Sequence, residues 1–321
     1  MKTYIEATRE ALAEELAADD RTVVFGRDIG PSGGVFRSTS GLIDVFGKDR
    51  IRSFPLGDHV LVGAAIGAAL AGLRPIIDLI SPHEISGGLA HLVQAASTES
   101  LSQGTLVVPI TLRLATGYGM GAVRDQAGDL HSLWTSTPGI QVVAPATPYV
   151  GKGTLKSAIR SNQLTVLLED RGLFETRQEI GDDECLLPFG EAECLVEGDL
   201  ATVVAWGAAV PWALGAAKTL AEKGQRVEVI DLRSLAPIDL KTIGESCVKT
   251  GRVFIVEPSL PDCSVGSELI ARLQETCFDY LDAPIGRMNV DRSVAYSPTL
   301  EANAIPSVDG LFHSLKDWLT E

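Results

Sequence analysis

The sequence predicts an α/β protein of two domains, each a mainly parallel sheet flanked by helices. Short runs of β-branched residues alternate with helical segments, the alternation restarts after an acidic break, and 321 residues suffice for two cores. The opening stretch, Met1 to Glu10, mixes charged and apolar residues as an amphipathic helix does and has no apolar core of a signal peptide. A cytoplasmic protein is therefore expected. Residues 22–26, 75–80, 107–114, 140–143 and 165–169 are the strand candidates, apolar enough to be buried on both faces.

Residues 60–73 contain apolar side chains and glycine before Arg74, a run too short for the ~18 residues of a membrane span. A fully buried helix is expected there. Gly63, Ala64, Gly67 and Ala68 recur at helical spacing and leave a smooth face on which another backbone can lie. Asp58 and His59 precede this run. Asp58 has two readings: an N-cap accepting the first free amides, or a carboxylate held in a low-dielectric interface to control a proton on a ligand. For His59 an exposed, helix-starting position is expected.

The break at residues 175–187 is acidic and loop-like and ends in Pro188-Phe-Gly190, so the domains are expected to span 1–187 and 188–321. The second series reads as strand 201–206, helix 211–223, strand 227–232, helix 239–249, strand 252–257 and helix 266–276. The loop after Glu257, through Gly266, is expected to be a contact for a partner chain.

A net charge of -15 argues against nucleic acid, whose phosphates require a basic surface. The five cysteines contain no Cys-x-x-Cys pair, so neither a zinc site nor a disulfide framework is expected. Ligands of open parallel sheets sit where loops leave the carboxyl ends of strands. Three glycine-rich loops qualify: residues 27–34 with Arg27 and Asp28, residues 81–88 with His83 and Glu84, and residues 116–126 with Arg124, Asp125 and Gln126. No Gly-x-Gly-x-x-Gly follows the first strand, which argues against a dinucleotide site.

Several motifs occur together in order: Gly33-Gly-Val-Phe-Arg37, Val62-Gly-Ala-Ala-Ile-Gly, Gly72-Leu-Arg-Pro75, Pro138-Gly-Ile-Gln-Val-Val-Ala-Pro145, Val229-Ile-Asp-Leu-Arg233 and Tyr296-Ser-Pro298. Over essentially the whole chain they resemble the beta subunits of the thiamine diphosphate-dependent, decarboxylating component of 2-oxo acid dehydrogenases. The layout is also similar to the C-terminal half of transketolases. The resemblance implies a pyrimidine-binding domain followed by a transketolase C-terminal domain. It also implies an alpha partner that holds the diphosphate and magnesium, in a two-plus-two heterotetramer, and a lipoyl acyltransferase as a further partner. The Gly-Asp-Gly motif of such alpha partners is absent from this sequence.

By the same resemblance Asp58 takes the slot of the glutamate that hydrogen-bonds the pyrimidine N1′, one methylene shorter. Gln126 falls on the family's catalytic histidine, or Asp125 does in the transketolase register, with His131 nearby. Arg27-Asp28 replaces a Glu-Asp pair near the cofactor, and His83 and Glu84 stand where aromatic side chains usually pack on the pyrimidine. A potassium ion held by backbone carbonyls corresponds to Ile110, Ala158, Ile159, Ser161 and Gln163. Two readings follow: a subunit of an enzyme that decarboxylates a 2-oxo acid or transfers an acyl or ketol group, or a catalytically weakened structural or regulatory beta-like subunit.

Overall fold

The computed structural model describes residues 1–55, 57–80, 85, 87–118, 131–181, 183–291 and 303–320. The chain opens with a short strand β1 (Lys2–Thr3) and helix α1 (Tyr4–Ala18). Thr3 and Glu6 set the helix start reciprocally: the Thr3 hydroxyl accepts the Glu6 amide at 3.1 Å and the Glu6 carboxylate accepts the Thr3 amide at 2.7 Å. Then follow β2 (Thr22–Gly26), α2 (Leu42–Phe46), β3 (Ile51–Ser53), α3 (Asp58–Leu70), β4 (Arg74–Leu79), α4 (Leu89–Leu101) and β5 (Thr111–Thr116). Next come α5 (His131–Thr135), β6 (Ile140–Val143), α6 (Pro148–Arg160), β7 (Leu164–Asp170) and β8 (Arg177–Gln178). Helix α6 is capped by Thr147 and carries proline in its first turn, where the missing N–H costs nothing.

The second half contains β9 (Glu193–Val196), β10 (Thr202–Ala205), α7 (Ala209–Ala221), β11 (Glu228–Asp231), β12 (Ser234–Ala236) and α8 (Leu240–Thr250). It ends with β13 (Val253–Val256), α9 (Val265–Cys277), β14 (Gly286–Met288) and α10 (Val308–Thr320). Asp239 and Ser264 cap α8 and α9 by accepting amides three residues on.

The larger sheet has the order β12-β6-β7-β5-β4-β2-β3, parallel except for β12. The second has the order β14-β13-β10-β11-β9, parallel except for β9. Strand alternation divides the apolar side chains of the larger sheet between two layers. Val23, Phe25, Ile77 and Leu79 face one way and pack with Leu61, Val62, Ala65 and Leu92 of α3 and α4. Val24, Ile76, Val143 and Leu167 face the other way and pack with Leu12, Leu16, Leu155 and Ile159 of α1 and α6. The first layer continues without a break into Trp206, Leu232, Ile243, Ile255 and Leu269 of the second half.

Between α1 and α6 the packing is close, since a side chain at Gly151 would meet the Tyr4 ring at 2.7 Å. Around it runs a charged seam: Lys152 and Lys156 bond Glu14 at 2.7 and 2.5 Å, and Arg160 bonds Glu15 at 2.8 Å. The expectation of a fully buried helix at 60–73 is corrected. Among the described residues, helix α3 has one bare side, with Val60 59% and Leu70 56% exposed and nothing within 4 Å of a side chain built at Gly63 or Gly67. Single-sequence patterning cannot separate burial inside a domain from burial against another chain, because both select apolar residues.

Asp231 closes β11 inside the protein. Its Oδ1 accepts the Arg233 amide at 3.0 Å, its Oδ2 has no hydrogen-bond partner among the described residues, and burial pushes its carboxyl up to about 7. The native chain thus keeps a proton that the unfolded chain releases near the ordinary carboxylate value, so this group's contribution to stability falls as pH rises from about 4 through 7. Asp231→Asn is expected to flatten the fall in melting temperature across that window, measured by thermal unfolding at pH 4 to 8. An unchanged profile assigns the pH dependence elsewhere.

Candidate functional site

The carboxyl ends of β2, β3, β4, β5 and β7 share one edge of the larger sheet, because these strands run parallel. Helix α3 begins at that edge. Its cap is Gly57, with φ +151, and Asp58 is its first helical residue, which corrects the N-cap reading. Arg27 and Asp28 follow β2 on the neighbouring strand end, Arg27 half-buried and Asp28 exposed with φ +56. The Asp28 carbonyl accepts the Gly34 amide at 2.9 Å, and the Ser53 hydroxyl accepts the Gly30 amide at 3.0 Å, tying this loop to the end of β3. Arg27, Asp28 and Asp58 are therefore brought to one edge. His83, Glu84, Arg124, Asp125 and Gln126 lie outside the described residues.

His59 is exposed, as expected, and its ring lies 6.2 Å from that of His91 across the α3–α4 groove. His131 heads α5 and is buried. Glu257 is fully enclosed at the end of β13. It accepts from Ser264 at 2.6 Å, the Gly266 amide at 3.1 Å, Asn289 at 2.6 Å and Arg287 at 3.1 Å, so it braces the loop that follows it. The cysteines are all free.

A buried charge cluster beneath the edge escaped the motif reading. Arg113 donates to Glu169 and to Asp78, each at 2.8 Å, and Ser38 donates to Asp78 at 2.8 Å. The pairing register sets Asp78 beside Arg113, and Glu169 lies on the next strand over. Arg113 is 3% and Glu169 1% exposed, too little for water to replace a lost partner. Burial pushes the Glu169 carboxyl upward against the pull of Arg113. A signal was present: single charged residues inside otherwise apolar strands, in Pro75-Ile-Ile-Asp78-Leu, Thr111-Leu-Arg113-Leu and Val166-Leu-Leu-Glu169.

Next to Glu169, Asp170 ends β7 and accepts the Gly172 amide at 2.8 Å. Its Oδ1 comes so near Gly117, φ +104, that a side chain there would sit 2.5 Å away, and only glycine fits. Burial is the largest cause that pushes Asp170 up to about 6.

The carbonyls compared with a potassium shell carry other partners. Arg74 donates to Ile159 O at 3.1 Å, Ser161 O at 2.7 Å and Asn162 Oδ1 at 2.7 Å. Ala158 O accepts the Ser161 amide, and Ile110 O accepts the Thr165 amide. A monovalent cation on Ile159 and Ser161 would meet a guanidinium already there, so those two residues do not fit as its ligands. Arg74→Met is expected to lower unfolding free energy by about 2–3 kcal/mol, the cost of stranding acceptors that had a charged donor. Urea denaturation measures it, and a loss under about 0.5 kcal/mol, the usual scatter of surface changes, rejects the bracing role.

Residues 1–176 match the transketolase pyrimidine-binding domain and residues 190–311 the transketolase C-terminal domain. The chain is 36% identical over 321 residues to the pyruvate dehydrogenase E1 component subunit beta of Staphylococcus aureus, covering 99% of this chain and 98% of that one. It is 34% identical over 303 residues to the 2-oxoisovalerate dehydrogenase subunit beta of Bacillus subtilis, covering 93% of each. Among solved structures it is similar in fold to a split-gene transketolase described as an inactive beta4 tetramer. That match has a TM-score of 0.74, 22% identity, and covers 99% of this chain and 98% of that one. Transketolase from Campylobacter jejuni gives a TM-score of 0.70 at 16% identity, covering 97% of this chain and 46% of that one. The chain belongs to the transketolase-like family of thiamine diphosphate-dependent 2-oxo acid dehydrogenase beta subunits.

Proposed function

We propose that this chain is the beta half of a two-component enzyme that decarboxylates a 2-oxo acid with thiamine diphosphate, its cofactor site completed by an alpha subunit. The observation that carries the reading is Asp58 at the first turn of α3, on the sheet edge it shares with Arg27 and Asp28, in a chain that lacks the Gly-Asp-Gly motif. Bound thiamine diphosphate supplies the carbanion chemistry that removes the carboxylate. Asp58 accepts the proton of pyrimidine N1′ as a hydrogen bond and holds it there. Gln126 donates a hydrogen bond to the substrate oxygen but exchanges no proton near neutral pH. Arg27, Asp28, His83 and Glu84 line the pyrimidine side. Magnesium belongs to the partner, and no step runs through potassium, since Arg74 occupies the Ile159 and Ser161 carbonyls of the five-residue shell at Ile110, Ala158, Ile159, Ser161 and Gln163.

The bare face of α3 around Gly63 and Gly67 serves the alpha subunit, and the assembly is a two-plus-two heterotetramer that hands its acyl group to a lipoyl acyltransferase. Gln126 and Arg27, which replace a histidine and a carboxylate of the family, favour a second reading, a weakened beta-like subunit that holds an assembly together. One reconstitution separates the two. Purified with a chain that carries Gly-Asp-Gly, the pair is expected to bind cofactor and magnesium and to release carbon dioxide from a branched or linear 2-oxo acid. A pair that forms but turns over no 2-oxo acid at saturating cofactor leaves the second reading.

A further inference from the structure

A cavity of about 350 Å³ lies between the two sheets. Tyr118 follows the carboxyl end of β5 and Asp170 ends β7, while Ala208, Pro258 and Val290 follow the carboxyl ends of β10, β13 and β14. Both sheets therefore aim the strand ends where α/β proteins bind ligands into one space. Apart from Thr176, whose hydroxyl donates to Leu173 O, its remaining wall is mainly apolar and aromatic, with Trp212, and Asp170 is its one charged side chain among the described residues. Asp170 is 8% exposed, and only its Oδ1 receives a hydrogen bond, from the Gly172 amide. Oδ2 has no hydrogen-bond partner among the described residues.

An ionised oxygen that faces a mainly apolar cavity and has no protein donor among the described residues pairs most strongly with a cation. We propose that this cavity binds a small primary amine with an aromatic or branched apolar body, its ammonium paired with Asp170. The apolar body packs against Pro211, Pro258 and Val290, and the ammonium lies within reach of the Tyr118 and Trp212 rings, whose faces attract cations. The cavity volume falls at the lower end of small-ligand sites, of order 300–1,000 Å³, and admits one ring with a short arm. His131 and the Arg171 guanidinium act on Asp170, and both favour its ionised form. Binding is thus present at neutral pH and lost as pH falls through about 6, while the amine keeps its charge.

The test titrates the full chain with benzylamine by calorimetry at pH 7.5, with benzyl alcohol as the uncharged probe of equal shape. Benzylamine is expected to bind and benzyl alcohol to bind at least tenfold more weakly. Asp170→Asn is expected to weaken benzylamine by about 10- to 100-fold, as loss of a charge-assisted hydrogen bond does. Ala208→Phe, which fills the cavity and keeps the carboxylate, is expected to abolish binding, with circular dichroism confirming that each variant is folded. Equal affinity for the two probes, no binding of benzylamine at 10 mM (about the limit of a weak fragment), or unaltered binding in both variants overturns the proposal.

Discussion

Asp58→Ala, made in the chain co-purified with its alpha partner, is expected to lower decarboxylation by about 10²–10⁴-fold, the range for removing a positioned proton-controlling group. Cofactor affinity is expected to change far less, because in the proposed assembly the diphosphate and magnesium are held by the other subunit. The split between turnover and binding distinguishes loss of the N1′ contact from collapse of the pocket. Asp58→Glu supplies the missing methylene. If the shorter acid holds the ring at a non-optimal distance, the glutamate variant turns over faster, by up to the roughly hundredfold penalty of a misplacement near 1 Å. Turnover unaltered by both substitutions rejects Asp58 as the activating group and leaves the larger-sheet edge without a catalytic acid.

Arg113→Met is expected to destabilise the chain by about 3–5 kcal/mol, the cost of removing one member of a buried charged cluster and stranding the others. The two carboxylates it bonds, Asp78 and Glu169, are held at 2.8 Å on separate neighbouring strands, so the loss falls in the middle of the larger sheet. Against a typical domain stability of about 5–15 kcal/mol that is a third or more of the total. The double variant Arg113→Met with Glu169→Gln is expected to recover part of the loss, since one stranded charge becomes neutral. Urea midpoints of the two variants measure both effects. A single variant within about 1 kcal/mol of the parent, the size of an exposed ion pair, shows that the cluster contributes no more than surface charges do.

Strands bounded by turn residues were legible to the residue: 22–26 and 140–143 occur as expected. The run 107–114 was misplaced because Pro109 lacks the amide a ladder requires, so the strand starts at Thr111 and continues to Thr116. Helices 211–223 and 239–249 shift by a residue or two at each end, where periodicity alone does not fix the terminus. Strands β9, β12 and β14 went unassigned, since each is short and exists only through a partner distant in sequence. At the candidate site, the family motifs pointed to the loops and to Asp58. They did not find Arg113, Asp78 and Glu169, whose alignment depends on the register of three strands, nor the shared cavity at Asp170, which needs both halves folded.

Strand β12 lies well past the acidic break at 175–187, yet it pairs with β6 in the first sheet, Ser234 beside Val143 and Ala236 beside Val142. The halves are thus buttoned together by a returning tab rather than joined by a tether. A chain cut at 187 would leave Ile140 to Val143 with a naked flank of amides and carbonyls, a template for unwanted association. Anyone dissecting this subunit into autonomous pieces should carry residues through 236 with the first, or expect it to seek a substitute tab from a neighbour.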